Sequence, residues 1–121
     1  MFTVATGTNA AAFGDRSVAS GNQSLASGVV SRSAGAESVA LGFQVTAGAN
    51  GSVVLGSNAT TLASAVGTFL FADRSQGSVP YVASAVNEFG VRASGGVYLY
   101  TNPNLTSGVI LAPNSNSWAS L

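Results

Sequence analysis

The chain has 121 residues, no net charge and only 7% charged residues, with no Cys, no His and no Lys. Thiol and imidazole chemistry, Schiff-base nucleophiles and a basic surface for nucleic acid are therefore excluded by composition, and no run of about 18 apolar residues marks a transmembrane helix. At 46% apolar the sequence can fold, provided that its apolar groups recur regularly.

They do. Glycines stand at Gly7, Gly14, Gly21, Gly28, Gly35, Gly42 and Gly56, seven residues apart, with Ala49 and Ala63 filling the two gaps. The unit reads roughly Ser-Val-Ala-x-Gly-x-Asn from Thr3 to Ala63. Seven is also the coiled-coil period, but a glycine in every heptad costs about 1 kcal/mol each in a helix, and collagen needs glycine every third residue. A short strand and a tight turn per heptad remain. Glycine suits the corner because it takes positive φ without steric cost. Asn9, Asn22, Gln23, Gln44, Asn50 and Asn58 suit turns and can stack as amide ladders.

Strand alternation sends the repeat to two faces. Positions four and two before each glycine are Ser, Thr or Ala almost throughout, as the inside of a thin roll requires. Positions three and one before glycine vary with a period of fourteen. Ala11 and Phe13, Leu25 and Ser27, Val39 and Leu41, and Val53 and Leu55 are mainly apolar. Val4 and Thr6, Val18 and Ser20, Arg32 and Ala34, Thr46 and Gly48, and Thr60 and Leu62 are more polar or small. One coil is thus two heptads, with one strand bearing an outward apolar ridge and the other facing water. The spacing predicts a roll of about four and a half coils, on the order of 20 Å tall at one sheet spacing per coil. The ridge of Phe13, Leu25, Val39, Leu41, Val53 and Leu55 needs a partner. The simplest partner is another copy around a symmetry axis, so these six residues are the expected trimer interface.

The heptad is lost from Thr68, which predicts two units, a roll over residues 1–67 and a C-terminal β-module over 68–121. Phe69, Leu70 and Phe71 are expected to plug the open end of the roll. Candidate strands follow at Glu88–Ala93, Val97–Thr101 and Gly108–Leu111, with Ser94-Gly95-Gly96 as a hairpin turn between the first two and Asn102-Pro103-Asn104 as a loop. Phe89, Val91 and Ala93 share a face. Tyr98 and Tyr100 are read as an edge-strand face or trimer rim, with a ligand-binding platform as the alternative.

The runs Ser17-Val18-Ala19-Ser20-Gly21, Ser38-Val39-Ala40-Leu41-Gly42 and Ser52-Val53-Val54-Leu55-Gly56 resemble the head repeats of the YadA-like trimeric autotransporter adhesins. The resemblance covers residues 3 to 63 and implies a left-handed parallel β-roll, three of which pack into one head. No signal peptide or membrane anchor of that family is visible. The segment Asn87–Thr101, then Gly108–Pro113 and Asn116-Ser117-Trp118, resembles the region upstream of the endosialidase-type intramolecular chaperone in phage tail fibres, tailspikes and bacterial tail-fibre-domain proteins. That resemblance implies a downstream chaperone that assembles the trimer and cuts itself off, with Trp118-Ala119-Ser120-Leu121 lying about where such a cut would fall.

Taken together, the expectation is an all-β, non-enzymatic, cofactor-free structural fibre protein, extracellular on a virion or cell surface, with no membrane insertion. It is expected to be homotrimeric, with trimers stacking head to tail through an uncapped N-terminal coil. Three other readings are weighed. Asp15 and Glu37 could pair as glycosidase carboxylates, although solvated turn residues are the simpler account. Asp73-Arg74 reads as a surface ion pair or turn. An ice-binding face would need a regular Thr array, which Arg32 and the column Thr6, Ser20, Ala34, Gly48, Leu62 do not provide. An adhesive head would use the apolar corner Val29, Val30 and Phe43 for a host receptor; the alternative for that corner is the edge of the trimer contact.

Overall fold

In the computed structural model, which describes residues 2–121, the chain is all-β: a mostly parallel β-solenoid of about five turns, followed by a small antiparallel sheet. Short strands β1 (Val4–Ala5), β3 (Val18–Ala19) and β5 (Arg32–Ser33) alternate with β2 (Ala11–Asp15) and β4 (Leu25–Val29). Then β6 (Val39–Ala47) and β7 (Val53–Thr61) each run through a corner and serve both sides of the coil. Above them lie β8 (Phe69–Ala72), β9 (Tyr81–Ala83) and β10 (Phe89–Arg92).

Each strand pairs in parallel with the one a full coil later. Leu25 lies against Val39 and Val39 against Val53, a step of fourteen residues. One side of the coil stacks β2, β4, β6, β7, β8 and β10; the other stacks β1, β3, β5, β6, β7 and β9.

The inward positions are those that the repeat assigns. Ser17, Ala19, Ser24, Ala26, Ser31, Ser33, Ser38, Ala40, Val45, Ala47, Ser52, Val54, Ala59 and Thr61 are all buried. The buried hydroxyls are satisfied locally, as burial demands. Ser24 Oγ donates to the Gly21 carbonyl (2.7 Å), Ser38 Oγ to that of Gly35 (2.6 Å) and Ser52 Oγ to that of Ala49 (2.7 Å). Ser17 and Ser31 reach up to the carbonyls of Gly28 (3.1 Å) and Gly42 (2.8 Å). A small polar interior thus ties each turn to the next without a large apolar core.

The glycines have a sharper cause than corner conformation alone. Gly14, Gly28, Gly42 and Gly56 do have positive φ, but no such φ occurs at Gly7, Gly21 or Gly35. What all seven share is contact with the coil above. A Cβ on Gly21 would lie 1.9 Å from the Gly35 carbonyl oxygen, and one on Gly28 would lie 1.9 Å from that of Gly42. The left-handed residues at the Gly7-type corners come two places later, at Asn9, Gln23, Glu37 and Gly51. Beside them, single side-chain bonds link successive coils, with Asn22 Oδ1 accepting from the Thr8 N–H (3.1 Å) and Asn50 Oδ1 from the Ala36 N–H (2.9 Å); Ala36 between them interrupts any continuous amide ladder.

Two expectations about the second half are corrected. Loss of the heptad at Thr68 does not end the stack, and Phe69, Leu70 and Phe71 do not plug it. Val53 pairs with Phe69 and Phe69 with Phe89, so β8 and β10 are further rungs, reached by steps of sixteen and then twenty residues. The longer steps accommodate corner insertions such as residues 73–80, between β8 and β9. Leu70 points inward in the column Ala26, Ala40, Val54, Leu70 and is fully buried, whereas Phe69 is half-buried and Phe71 exposed on the outer face. The core widens accordingly, with Leu70, Ala72, Ala83 and the flank of Tyr81 joining Val45 and Val54.

Second, Ser94-Gly95-Gly96 turns the chain, with the Gly96 N–H on the Ala93 carbonyl (2.9 Å), but makes no hairpin. β10 is already paired to β8. β11 (Val97–Tyr100) instead pairs antiparallel with β12 (Gly108–Leu111), which pairs with β13 (Ala119–Ser120). The hairpin loop is the Asn102 region, where Asn102 Oδ1 accepts from the N–H groups of Thr106 and Ser107, both at 3.0 Å.

Candidate interaction surface

Outward side chains on the β2-to-β10 side form two parallel columns. One is Ala11, Leu25, Val39, Val53, Phe69 and Phe89; the other is Phe13, Ser27, Leu41, Leu55, Phe71 and Val91. All six expected interface residues lie here, and the structure extends the ridge by two rungs that add Phe69, Phe71, Phe89 and Val91. Leu25, Val39, Leu41, Val53 and Leu55 are half-buried by their neighbours, whereas Phe13 (61%) and Phe89 (75%) stand well exposed. The Phe69 and Phe89 rings stack at 5.4 Å. Of the eight charged residues in the chain, none is in either column. The opposite side carries Val4, Val18, Arg32, Thr46, Thr60 and Val82 in one column, without a regular hydroxyl array.

The corner patch is also brought together. Val29 pairs with Phe43, and Val29 (36%), Val30 (37%) and Phe43 (46%) are exposed side by side. Val30 has φ of 55°, a left-handed conformation that a β-branched residue rarely adopts; Arg16, Gln44 and Asn58 fill the same corner in other coils. Phe43 lines a concavity of about 380 Å³ with Ser57, Phe71, Asp73 and Arg74, so the patch is continuous with the ridge.

The ionisable residues are dispersed. Asp15 pairs with its neighbour Arg16 (3.2 Å) on the surface, and Glu37 occupies the opposite corner, so the two carboxylates do not converge. Among the described residues no group of three or more His, Cys, Asp or Glu could hold a metal ion. Of the two readings of Asp73-Arg74, the turn holds, with the Ser75 N–H on Asp73 Oδ1 (3.2 Å), and the ion pair is corrected: Asp73 faces Arg92, with Nε and Oδ1 3.5 Å apart. Arg92 also donates to the carbonyls of Val79 (3.0 Å), Ser57 (3.0 Å) and Asp73 (3.2 Å). Asp73 accepts from Ser75 Oγ (2.6 Å) and from both Oγ and N–H of Ser94. The hydroxyls of Ser75 and Ser94 hold its carboxyl well below the usual carboxylate range. Sequence reasoning missed this hub, because it gathers residues from Ser57 to Ser94 that meet only once the rungs are in register.

Tyr98 and Tyr100 lie on β11, an edge strand of the small sheet, with rings 6.1 Å apart and nearly parallel. The other face of that sheet meets the end of the ridge. Phe89, Val91, Val97, Leu99, Leu111 and Trp118 enclose an apolar groove of about 360 Å³.

No protein-family model matches the chain, and no curated protein sequence matches it significantly.

Proposed function

We propose that this chain is a structural segment of an extracellular fibre, a tail fibre or cell-surface filament, in which three left-handed rolls pack side by side through the ridge. The single observation that carries the reading is the ridge itself: two charge-free columns, six rungs long, on a solenoid whose interior is mostly Ala and Ser. A soluble chain with that stripe gains by burying it. The area points the same way. The chain exposes 6766 Å², whereas a compact monomer of 11.9 kDa exposes about 5,900 Å². The excess is of the size that one partner buries in a standard interface, about 800 Å². An elongated shape contributes to it, and a ridge-to-ridge contact would remove it. Such a fibre fits the two resemblances of the sequence, assembly by a downstream chaperone included, and it allows trimers to stack head to tail. Native mass spectrometry on purified protein tests the reading: trimers are expected, and a stable monomer at micromolar concentration would sink it.

A second reading, an adhesive head that binds a host receptor, is favoured by Val30. A strained valine exposed beside Val29 and Phe43 is the kind of outlier that a binding site retains. Loss of adhesion, with trimers intact, on replacing Phe43 by Ser would support it.

A further inference from the structure

The repeat that builds the ridge also creates a problem for its assembly. Leu25, Val39 and Val53 are near-equivalent knobs one coil apart, as are Leu41 and Leu55. A seam of equivalent knobs can slip by one coil, about 4.8 Å, and remain apolar against apolar. Something outside the repeat must fix the register.

The groove at the top of the ridge has the required properties. It follows directly from the two columns, through Phe89 and Val91, and is completed by Val97, Leu99, Leu111 and Trp118 from the antiparallel sheet. None of these six residues is charged, and the chain has one tryptophan, so nothing in the repeat can mimic the site. Phe89 (75%), Leu99 (55%) and Trp118 (53%) are left exposed in the single chain. Large aromatic side chains in such a position are the usual anchors of an interface.

We infer that this groove is closed by a second copy of the chain, and that Trp118 is thereby the residue that sets the register of the ridge-to-ridge assembly. The inference rests on the fibre reading and adds to it where the specificity lies. The rungs of the repeat supply area, and the non-repeating groove supplies the one alignment in which the aromatics are buried. The contact continues the ridge rather than forming a separate site, which is why the occupant is another copy and not a small apolar ligand.

Because Trp118 is the sole tryptophan, its fluorescence reports the groove directly. In the intact assembly its emission should be blue-shifted, and acrylamide quenching several-fold weaker than in the urea-unfolded chain. Phe89→Ser should restore quenching, and Ser20→Asp on the opposite face should not. Register is read with cysteines, since the chain has none of its own. Leu25→Cys and Val53→Cys chains, co-expressed, place thiols two coils apart, about 10 Å along the axis. That exceeds the Cα separation of about 7 Å that a disulfide spans. Mixed disulfides should be absent with Trp118 present and appear in a Trp118→Ser background. Trimers whose Trp118 remains fully open to quencher would overturn the inference and leave the fibre reading standing. So would mixed disulfides that are equally rare in both backgrounds. A monomer would overturn both.

Discussion

Asp73 and Arg92 face each other across one turn of the solenoid, 3.5 Å apart, and between them hold four segments of chain. Arg92 reaches down to the Ser57 carbonyl and sideways to that of Val79, while Asp73 receives Ser75 and Ser94. The pair stands at the corner where the lower coils carry a glycine and its successor. There the longer upper coils must be fastened by side chains rather than by backbone repetition.

Acid should loosen this corner first. The Asp73 carboxyl is held well below its ordinary value, chiefly by the Ser75 and Ser94 hydroxyls. A depressed folded value contributes stability that is complete above the unfolded value, about 3.9, and is lost as pH falls towards the folded one. Melting temperature should therefore be flat down to about pH 5 and fall below about pH 4. Asp73→Asn should lower the plateau and flatten the acid limb. An unchanged acid limb in Asp73→Asn, followed by circular dichroism, would show that other groups govern it.

Removing the cation is expected to cost more. Arg92→Met leaves the Asp73 charge without its counterion and the Ser57, Val79 and Asp73 carbonyls without their donor. A broken, largely buried pair costs about 3 kcal/mol. Urea titration of the variant should show that loss, and a change below about 0.5 kcal/mol, the surface range, would mean that water replaces the guanidinium freely.

Close approach and mere flexibility are separable at two glycines. A Cβ at Gly28 would lie 1.9 Å from the Gly42 carbonyl oxygen, and the residue has φ of +129°. At Gly77 no atom lies within 4 Å of such a Cβ. Gly28→Ala should thus cost more than about 3 kcal/mol or abolish folding, while Gly77→Ala stays within about 0.5 kcal/mol. Thermal unfolding of the two variants side by side checks both halves.

Much of the fold was legible because one residue type kept strict time. Glycine every seventh place, with small residues two and four before it, told inside from outside, and the buried Ser and Ala positions are those the spacing assigns. What could not be read is where the period breaks. Phe69 and Phe89 are rungs like Val53, but they follow at steps of sixteen and twenty residues, so periodicity alone made a plug of one and a hairpin strand of the other. The Asp73–Arg92 hub was hidden for the same reason. Gly21 shows a third limit: its position was clear, but its cause, the carbonyl oxygen of Gly35, belongs to the next coil.

Val30 offers a gain of stability. Its φ of 55° is adopted by Arg16, Gln44 and Asn58 at the matching corners, and Asn tolerates the left-handed region best of the common residues other than glycine. Val30→Asn should stabilise the fold by about 1 kcal/mol, the order of the left-handed penalty. A rise in melting temperature of a few degrees is the readout. A fall instead would mean that the valine side chain is gripped in the assembly, which would bring the corner patch into the contact.

The ridge makes the most discriminating prediction. Leu41 lies in the second column of the ridge, between Ser27 and Leu55 and beside the unbroken apolar column of Leu25, Val39 and Val53, and Ser20 is exposed on the opposite side of the coil. Leu41→Asp places a charge where the seam would close. In a dry contact an unpaired carboxylate costs several kcal/mol per chain, enough to abolish an assembly of ordinary affinity. On an isolated roll the same side chain would remain half-exposed and hydrated, so the strand pairing should survive. Light scattering should thus report dispersed Leu41→Asp chains whose far-ultraviolet spectrum remains that of a β protein. Ser20→Asp should leave both readouts unchanged. At acid pH, where the new carboxyl is neutral, Leu41→Asp should partly regain assembly, which a purely steric defect would not do. If both variants assemble alike, the outward faces of the roll have been assigned the wrong way round, and the side of Arg32 and Thr46 becomes the candidate seam.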